Sequence, residues 1–498
     1  MSTALGLGLG VGLTLDVVAD TCRARLAGDP ALAQIGYVNL GLRHDDLIPD
    51  GVPALLNECG WPVVVHAIDV NLSTALDEDE VLSLARLGDA LDARWFEEDL
   101  GVWVWGRMSL GLHHLPPLLT QHSVEVSAAN IARCRYLLGR PLHIENPPVH
   151  YAEGDLDMWE FLAAVADAAE CGIVLDSGHL IGYHLNTDTP IELRADWPGW
   201  PAVRELHISG FQLIDLGESP TWIDQHPAPL PAGQLTWVEQ ALRHTQPGVA
   251  VCLEQDGASD AVVAASVDRV ARLVDAAEVS QRRGARAHSW STVPEPPRTD
   301  ADATDLIQRY GQILHAFYDV DAEPPVAPQQ RARFLAERSR RVLDVARVLH
   351  SGWPRTGALA RAYAEDGLVQ EVAREVPRVA DRAGSVTEAV EAALVAWIDR
   401  FDVPVLPWVF AFEQLSLGHK AGTRPARPHE LARLGPNAGT EARVVEAPFD
   451  LPRMVRALDF LLARSAPAAH LREVVPCGGP VAMAAYRDGS GRVSVRTL

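Results

Sequence analysis

Six short apolar segments in the first half of the chain end in a residue that can bind a metal or carry a proton. The terminal residues are His66, Glu98, Glu145, Asp176, His207 and Glu254. Successive members lie 32, 47, 31, 31 and 47 residues apart, about the length of one strand followed by one helix. Packing a core does not call for an ionisable group at the end of every apolar segment, because burying an unpaired charge is costly. The pattern therefore predicts side chains that converge on one metal site.

Three further donors follow in the same half of the chain. His179 lies three residues after Asp176, and Asp224 and His226 are separated by one residue in the segment WIDQHPAP. Residues two apart in extended backbone point to the same side, so this last pair can serve one metal; a solvated loop is the alternative. Together the candidate metal ligands are His66, Glu98, Glu145, Asp176, His179, His207, Asp224, His226 and Glu254.

These nine donors are all oxygen or imidazole nitrogen, with no thiolate among them. With one bridging carboxylate they could bind roughly two or three metal ions and still leave positions open for a substrate. Glu145 is the candidate for the bridge, because Asn146 and two prolines end its strand and begin a rigid loop. Oxygen and imidazole ligands suit iron, manganese or zinc, and the residue types alone leave that choice open.

From about Gly8 to Ala277 the chain alternates between strand-like and helix-like segments. The helical candidates include residues 78–91, 124–138, 158–170, 234–243 and 261–276. Adding the strand-like segments LGVGLTL near residue 10 and IGYVNLGL near residue 38 makes eight strand–helix units, the number in a TIM-type (β/α)8 barrel. We therefore predict an α/β fold with a metal-binding barrel over residues 1–280, in which the carboxyl ends of the strands meet on one face.

The second part of the chain has a different pattern. Residues 281–304 have the proline, serine and charge content of a linker. Residues 305–418 look mostly helical, and the chain ends with a strand, a helix and a hairpin in which VAMAAYR and RVSVRTL flank the turn DGSG. We predict a mainly helical α+β domain over residues 305–498 that ends in a β-hairpin.

Composition narrows the classes of partner. The 498-residue chain carries a formal net charge of −23 and has Lys420 as its only lysine. This argues against a nucleic-acid partner, because phosphate binding depends on clustered basic residues. The six cysteines are scattered without a C-x-x-C pair, which is typical of a reduced cytoplasmic protein. No apolar run approaches a membrane span, and glycines interrupt the apolar N-terminal stretch, so we expect a cytoplasmic protein without a signal peptide or membrane partner.

The order of these segments resembles that of a known family. The segments ENP at residues 145–147, ELHISG at 205–210 and DQHPAP at 224–229 are similar to those of the multinuclear non-haem iron-dependent oxidative enzymes, which include the methanobactin-forming oxidase. The resemblance covers about residues 8–277 and implies a xylose-isomerase-like TIM barrel. It further implies a centre of two or three iron ions that uses molecular oxygen. The implied substrate is a ribosomally made precursor peptide, often modified at cysteine during natural-product biosynthesis.

The resemblance also implies roles for individual residues. Glu145 would bridge the metals, and Asn146 would orient Glu145 or the substrate. Asp99 stands where the family commonly has a histidine, and we group it with Glu145 and Asn146 as a catalytic candidate. One pair of sites would be filled by His66, Glu98, Asp176, His207 and Glu254, and a further metal would be held by His179, Asp224 and His226.

Other functions stay open on the sequence alone. The ligand order is also similar to that of metal-dependent sugar isomerases and AP-endonuclease-like phosphodiesterases, and His179 resembles those branches more. A non-catalytic scaffold is a third class, although it would be expected to lose ligands. For residues 305–498 we weigh capture of an extended leader peptide at an exposed sheet edge against plain packing or a homodimer interface. A separate partner protein is a further alternative.

Overall fold

A computed structural model of the chain describes most of the first half and parts of the second. The described residues are 8–111, 114–215, 220–281, 302–354, 356–358, 360, 367–401, 409–411, 413, 424–425, 443–447, 455, 481–487 and 493–497. The predicted linker between residues 282 and 301, the hairpin turn DGSG and almost all of the helix expected at residues 450–464 lie outside these ranges.

The strands of the described chain form one closed barrel and three small sheets. In chain order they are β1 (Leu9–Leu13), β2 (Ile35–Leu42), β3 (Val63–Ala67), β4 (Phe96–Asp99), β5 (Val104–Trp105), β6 (Met108–Ser109), β7 (Leu142–Glu145), β8 (Gly172–Asp176), β9 (Val203–Ser209), β10 (Phe211–Ile214), β11 (Thr221–Asp224), β12 (Ala250–Glu254), β13 (Arg424–Pro425), β14 (Arg443–Ala447), β15 (Val481–Arg487) and β16 (Val493–Thr497). The barrel order is β1-β12-β9-β8-β7-β4-β3-β2, with parallel neighbours throughout. The predicted (β/α)8 barrel is confirmed.

Helices connect the barrel strands. They span Val18–Leu26, Val52–Cys59, Glu78–Leu91, Gln121–Leu138, Met158–Ala169, Ser177–Thr187, Ala232–Leu242 and Asp260–Gln281. The helix Glu78–Leu91 shows why its bounds could be predicted. The Asp77 side chain accepts hydrogen bonds from the first free backbone N–H groups, at Asp79 and Glu80, and Asp92 ends the helix in a left-handed conformation. Its apolar residues recur on one face and are buried against the sheet.

Glycines of the first strand admit large side chains to the barrel interior. A Cβ atom on Gly10 would lie 2.2 Å from the Tyr37 ring, and one on Gly12 would lie 3.3 Å from Cγ of Glu254. The Tyr37 ring occupies the volume that a side chain at position 10 would need. These two positions therefore make room for a polar tyrosine and a carboxylate inside the barrel.

The chain divides into two compact units. The first comprises the described residues of Met1–Trp105, Ser109–Ala316 and Glu323–Ser339, and the second those of Gly106–Met108, Phe317–Ala322 and Arg340–Leu498. The first unit contains the barrel and also residues from beyond the predicted linker.

Later helices span Thr304–Tyr318, Arg331–Gly352, Leu368–Glu375 and Val386–Phe401, in keeping with the helical pattern of the sequence. Strands β13 to β16 form a four-stranded sheet, in which β15 and β16 pair antiparallel as the predicted hairpin requires. None of the helices in the described part of the chain combines the length and the apolar character needed to cross a membrane.

Candidate metal centre

Three ligand candidates from separate barrel strands meet at the carboxyl ends of those strands. His207 Nδ1 lies 3.1 Å from Oε2 of Glu145, and His66 Nε2 lies 3.7 Å from the same oxygen. Asp176 and Glu254 complete this group, with ligand atoms within 4.8 Å of those of Glu145 and His207. We call these five residues the first cluster. They come from β3, β7, β8, β9 and β12, so only barrel closure brings them together.

A second cluster is built by one helix and one small hairpin. His179 lies in the first turn of the helix Ser177–Thr187, and Asp224 ends β11 of the antiparallel β10–β11 ribbon. His179 Nε2 lies 3.7 Å from Oδ1 of Asp224, and His226 Nε2 lies 3.2 Å from Oδ2. Asp224 thus presents one oxygen to each histidine. The pair at 224 and 226, for which a solvated loop was the alternative, lies beside His179.

Two carboxylates link the clusters. Glu145 directs Oε2 to His66 and His207 and Oε1 to His179, whose Nδ1 is 3.4 Å away. Glu254 has Oε1 3.3 Å from His207 Nδ1 and Oε2 3.9 Å from His226 Nε2. Each carboxylate therefore has one oxygen toward each cluster, as a bridging ligand would, although Glu145 approaches His179 from the Nδ1 side of the ring.

Many polar atoms of the two clusters are buried without a hydrogen bond among the described residues. They are His66 Nε2, both carboxylate oxygens of Glu145, Asp176 Oδ2, His179 Nε2, His207 Nδ1, Asp224 Oδ1 and Glu254 Oε2. Leaving a buried polar atom unsatisfied costs about 1–3 kcal/mol, and native proteins rarely collect such atoms in one place. Oxygen and imidazole nitrogen are ligands of hard and borderline cations, so this donor set fits bound metal ions.

The raised pKa values of residues in the first cluster also favour bound metal ions. Burial acts to lower the pKa of His66, but the carboxylates of Glu254, Glu145 and Asp99 outweigh it and raise that pKa to about 9. Burial raises the pKa of Glu145 to about 8, and the neighbouring charge of Asp99 acts in the same direction. Without a cation, so many buried carboxylates retain protons or charge the histidines beside them. A metal ion would replace those protons.

In three histidines, a polar partner lies beside the ring nitrogen that would not bind a metal. His226 Nδ1 contacts Asp256, and His179 Nδ1 lies 2.9 Å from the backbone carbonyl of Asn146. His207 Nε2 lies 3.2 Å from Oε1 of Glu97 and 3.3 Å from Oε1 of Glu205. Such partners fix the ring orientation and leave the opposite nitrogen free to bind a metal.

Asn146 acts on the backbone of a neighbouring strand. Its amide nitrogen donates to the carbonyl of Asp176 at 3.0 Å, and its amide oxygen accepts from the Asp176 N–H at 2.9 Å. Both halves of the side chain are therefore used, and the residue is fully buried. The side chain thus holds the Asp176 backbone, and the Asn146 carbonyl holds His179. A contact of Asn146 with Glu145 or with a substrate stays a prediction.

One of the nine predicted ligands, which lies on β4, is outside both clusters, so that prediction is wrong. Glu98 lies apart from both clusters: its Oε2 accepts a hydrogen bond from the Val70 N–H at 2.9 Å, and it lines a small apolar space beside helix residues such as Leu84 and Cys134. Residues on either side of it in the strand face the barrel interior, where Glu97 meets His207 and Asp99 meets His66 and His179. The physical reason is the two-residue period of a strand, which sends Glu98 to the helix-facing side.

The sequence analysis missed several functional side chains. Glu97 and Glu205 support His207, and Tyr37 donates to Glu205 at 2.5 Å, while Asp256 supports His226. A signal for Glu97 did exist, because it shares a strand face with Asp99, and either face of the run FEED carries a carboxylate. Only the register of β4 against β3, which pairs Glu97 with His66, identifies the inward face.

A third group of donors lies in the loops after β2 and β3. His44 Nδ1 is 2.5 Å from Oδ2 of the buried Asp69, with Asp45 nearby. The Arg43 guanidinium lies 3.4 Å from Asp45 and 3.9 Å from Asp69. Because this basic group already supplies a positive charge, the first two clusters remain the better metal centre.

Residues beyond the predicted linker pack on loops of the same unit. The Leu118 N–H donates to the Tyr310 hydroxyl at 2.9 Å, and Arg309 Nε donates to Glu153 at 2.6 Å. Farther along, the Gln330 side chain accepts from the Ala152 N–H at 3.2 Å. These loops precede the helix Gln121–Leu138 and follow β7, so the later segment helps to fix the surroundings of Glu145.

Comparison with known proteins places the whole site within one family. The family described as RiPP precursor modification enzyme MbnB/TglH/ChrH matches residues 53–275, a range that holds all nine predicted ligands. A UPF0276 protein of Rhizorhabdus wittichii is 30% identical over 234 residues, which cover 46% of this chain and 77% of that protein. This chain belongs to the MbnB/TglH/ChrH family. The resemblance inferred from ENP, ELHISG and DQHPAP is thereby confirmed.

Other proteins similar to this MbnB/TglH/ChrH family member include a UPF0276 protein of Vibrio vulnificus, 26% identical over 227 residues, or 42% of this chain and 76% of that one. Among solved structures, a xylose isomerase-like TIM barrel protein from Mycobacterium smegmatis, in complex with magnesium, covers 56% of this chain and 100% of its own. Its TM-score is 0.38 at 13% identity.

Proposed function

We propose that this family member is a multinuclear iron-dependent oxidase or oxygenase that uses molecular oxygen to modify a ribosomally made precursor peptide, with cysteine as the candidate residue. The observation that carries the proposal is Glu145, a fully buried residue whose two carboxylate oxygens face histidines of two adjacent clusters. Membership of a family of RiPP precursor modification enzymes supports a peptide as the substrate.

Iron is proposed because the resemblance to the iron-dependent oxidative enzymes implies it, and because oxygen and imidazole nitrogen are ligands that iron accepts. His66, Glu145, Asp176, His207 and Glu254 would hold metal at the first cluster, and His179, Asp224 and His226 at the second. When bound, iron would supply one-electron redox chemistry and Lewis acidity that no protein side chain provides.

The chain's own residues would orient and shield that chemistry. Glu145 and His207 are fully buried, whereas the side chains of Asp224 and His226 remain 20% and 25% exposed. A substrate would therefore approach from the second cluster, with the first cluster behind it and away from water. Asp256 and the Asn146 carbonyl would keep His226 and His179 in the tautomers that leave Nε2 free for a metal.

The test is anaerobic reconstitution of the metal-free full-length chain with ferrous iron, followed by metal analysis and exposure to oxygen. The probes are synthetic cysteine-containing peptides, including any that a short reading frame beside the gene encodes, and their modification is assayed by mass spectrometry. More than one iron per chain and an oxygen-dependent mass change are expected. Zinc as the sole metal retained after iron loading would contradict the oxidase. Turnover of aldose sugars or of abasic-site DNA would favour the isomerase or phosphodiesterase alternatives.

For residues 305–498 we propose substrate capture, with the β14–β15–β16 sheet as the candidate surface. Strand β16 pairs only with β15 among the described strands, so its other edge could add an extended peptide through main-chain hydrogen bonds. Because residues 304–316 and 323–339 belong to the same unit as the barrel, truncation at residue 280 would disturb the barrel itself. Hydrogen–deuterium exchange of the full chain with and without the peptide is the better test. Protection of Val493–Thr497 is expected, and unchanged exchange there during turnover would contradict capture.

A further inference from the structure

Asp99 and Glu145 are neighbours across two barrel strands. They are paired directly in the parallel register of β4 and β7, one step beyond the pair formed by Glu98 and Ile144. Side chains at paired positions leave the sheet on the same face, about 5 Å apart at Cβ. The two carboxylates therefore enter the barrel interior side by side, at the level where the strands end.

Both carboxylates reach the same two imidazoles. Asp99 Oδ2 lies 3.8 Å from His66 Nε2, and Asp99 Oδ1 lies 3.8 Å from His179 Nδ1. Glu145 repeats the arrangement, with Oε2 3.7 Å from His66 Nε2 and Oε1 3.4 Å from His179 Nδ1. One oxygen of each carboxylate thus lies toward His66 of the first cluster, and the other lies toward His179 of the second cluster, on the Nδ1 side of its ring.

Two buried carboxylates at this separation need positive charge beside them. Asp99 is 4% exposed, and its Oδ1 forms no hydrogen bond within the described chain. Like charges in a low-dielectric interior repel strongly, and a cation between them removes both the repulsion and the cost of burial.

We propose that Asp99 is a metal ligand whose two oxygens bridge the same pair of metal positions as Glu145. The inference rests on the proposed metal centre and adds a second bridge to it. The centre then has five carboxylates, from Asp99, Glu145, Asp176, Asp224 and Glu254, against four histidines. So oxygen-rich a set favours hard cations such as manganese and iron over softer ones.

Manganese(II) is the probe for the test, because neighbouring manganese ions joined by carboxylates give an exchange-coupled electron paramagnetic resonance spectrum. The full-length chain is freed of metal, titrated with manganese(II), and analysed for bound metal and for the coupled spectrum. Asp99→Asn keeps the size of the side chain but removes its charge. It is expected to bind about one manganese ion fewer per chain and to lose most of the coupled signal. Asp99→His retains a single donor atom, and it should regain metal content with weaker coupling than the native chain.

Glu98→Gln is the matched control, because Glu98 is the adjacent residue of the same strand, is equally buried and faces the helices. It should keep native manganese content and coupling, and circular dichroism melts show whether each variant is folded.

Native content and coupling in folded Asp99→Asn would overturn the inference. Native coupling in Asp99→His, the second variant should Asp99→Asn fail to fold, would overturn the bridge. Equal losses of manganese and of coupling in Glu98→Gln would also overturn the bridge, because they would show that any change of charge on β4 disturbs the site. A native chain that binds neither manganese nor iron would overturn the metal centre itself.

Discussion

Two adjoining layers of the barrel interior are both buried and polar, yet their side chains are satisfied in different ways. In the first cluster, His66 Nε2, His207 Nδ1 and both Glu145 oxygens form no hydrogen bond with the described residues. One layer deeper, Asn39 donates to Glu97, Tyr37 donates to Glu205, and both glutamates face His207 Nε2. We call Tyr37, Asn39, Glu97 and Glu205 the support layer.

Many polar atoms of the first cluster have no hydrogen-bond partner among the described residues, whereas most of those in the support layer have one. Buried polar atoms are tolerated when they are paired, and most polar atoms of the support layer have a partner within the protein. Among its carboxylate oxygens, Oε2 of Glu205 forms no hydrogen bond with the described residues. The metal ions that we propose would complete the first cluster, so substitutions of its residues should act most strongly. His207 contacts both layers, because its Nδ1 faces Glu145 of the first cluster and its Nε2 faces the two glutamates of the support layer.

The largest effect is expected for Glu145→Gln. A neutral amide is a poor bridge, so metal content should fall by at least one ion per chain and peptide turnover by more than about 100-fold. Metal analysis and single-turnover mass spectrometry measure the two effects. Glu98→Gln is the control on an equally buried carboxylate outside the clusters. Retained metal and turnover in Glu145→Gln would remove the distinction between the two layers.

The double variant Asp224→Ala/His226→Ala should give a smaller, partial loss. Both side chains lie at the more exposed edge of the centre, so the barrel should remain folded while the second cluster loses its metal. We expect a fractional drop in bound iron with an unchanged circular dichroism melt. Full metal content in the double variant would return Asp224 and His226 to the solvated-loop interpretation.

Metal affinity should rise with pH. The pKa of His66 is raised from 6.5 to about 9 in the metal-free fold, so its proton stabilises the folded state below about pH 6.5, and that contribution is lost as the pH rises through 9. Metal needs the neutral imidazole, and release of the His66 proton alone should therefore raise metal affinity up to about 100-fold between pH 7 and 9. The raised pKa values of His179, His207 and His226 act in the same direction.

Metal titrations at fixed ionic strength, with parallel melts of the metal-free chain, test this dependence. His66→Gln should make the pH profile less steep, whereas His122→Gln, at an exposed position, should leave it unchanged. A native profile that is flat over this range would show that proton competition at His66 is not what limits metal binding.

The support layer should show the smallest effect. Glu205→Gln weakens the hold on His207 without removing a metal ligand, so metal affinity should fall by about 10-fold, at the lower end of the range for residues behind a ligand. Stoichiometry at saturating iron should stay native, unlike in Glu145→Gln. Isothermal titration distinguishes the two, and a lost ion in Glu205→Gln would instead make Glu205 a ligand.

Much of the fold follows from local pattern. The strand Ile35–Leu42 and the helix Glu78–Leu91 occupy the residues that their apolar periodicity and flanking turn residues predict. Strand ends were also well predicted at Glu145, Asp176 and Glu254, because an ionisable residue after an apolar run marks the edge of the core. The chemistry of the donors, oxygen and nitrogen without sulfur, needed no structure at all.

The sequence by itself therefore determined the barrel, the donor types and eight candidate ligand positions, of nine predicted, that the structure brings together in the clusters. Tertiary structure decided which face of β4 turns inward, and so set Glu98 aside and paired Asp99 with Glu145. It also decided that Asn146 holds the Asp176 backbone and that Glu97 and Glu205 stand behind His207. The physical reason is that each face of the four-residue strand Phe96–Asp99 carries at least one carboxylate, so the sequence does not distinguish the inward face from the outward one. Only the register of the strand in the closed barrel determines which face meets the other strands.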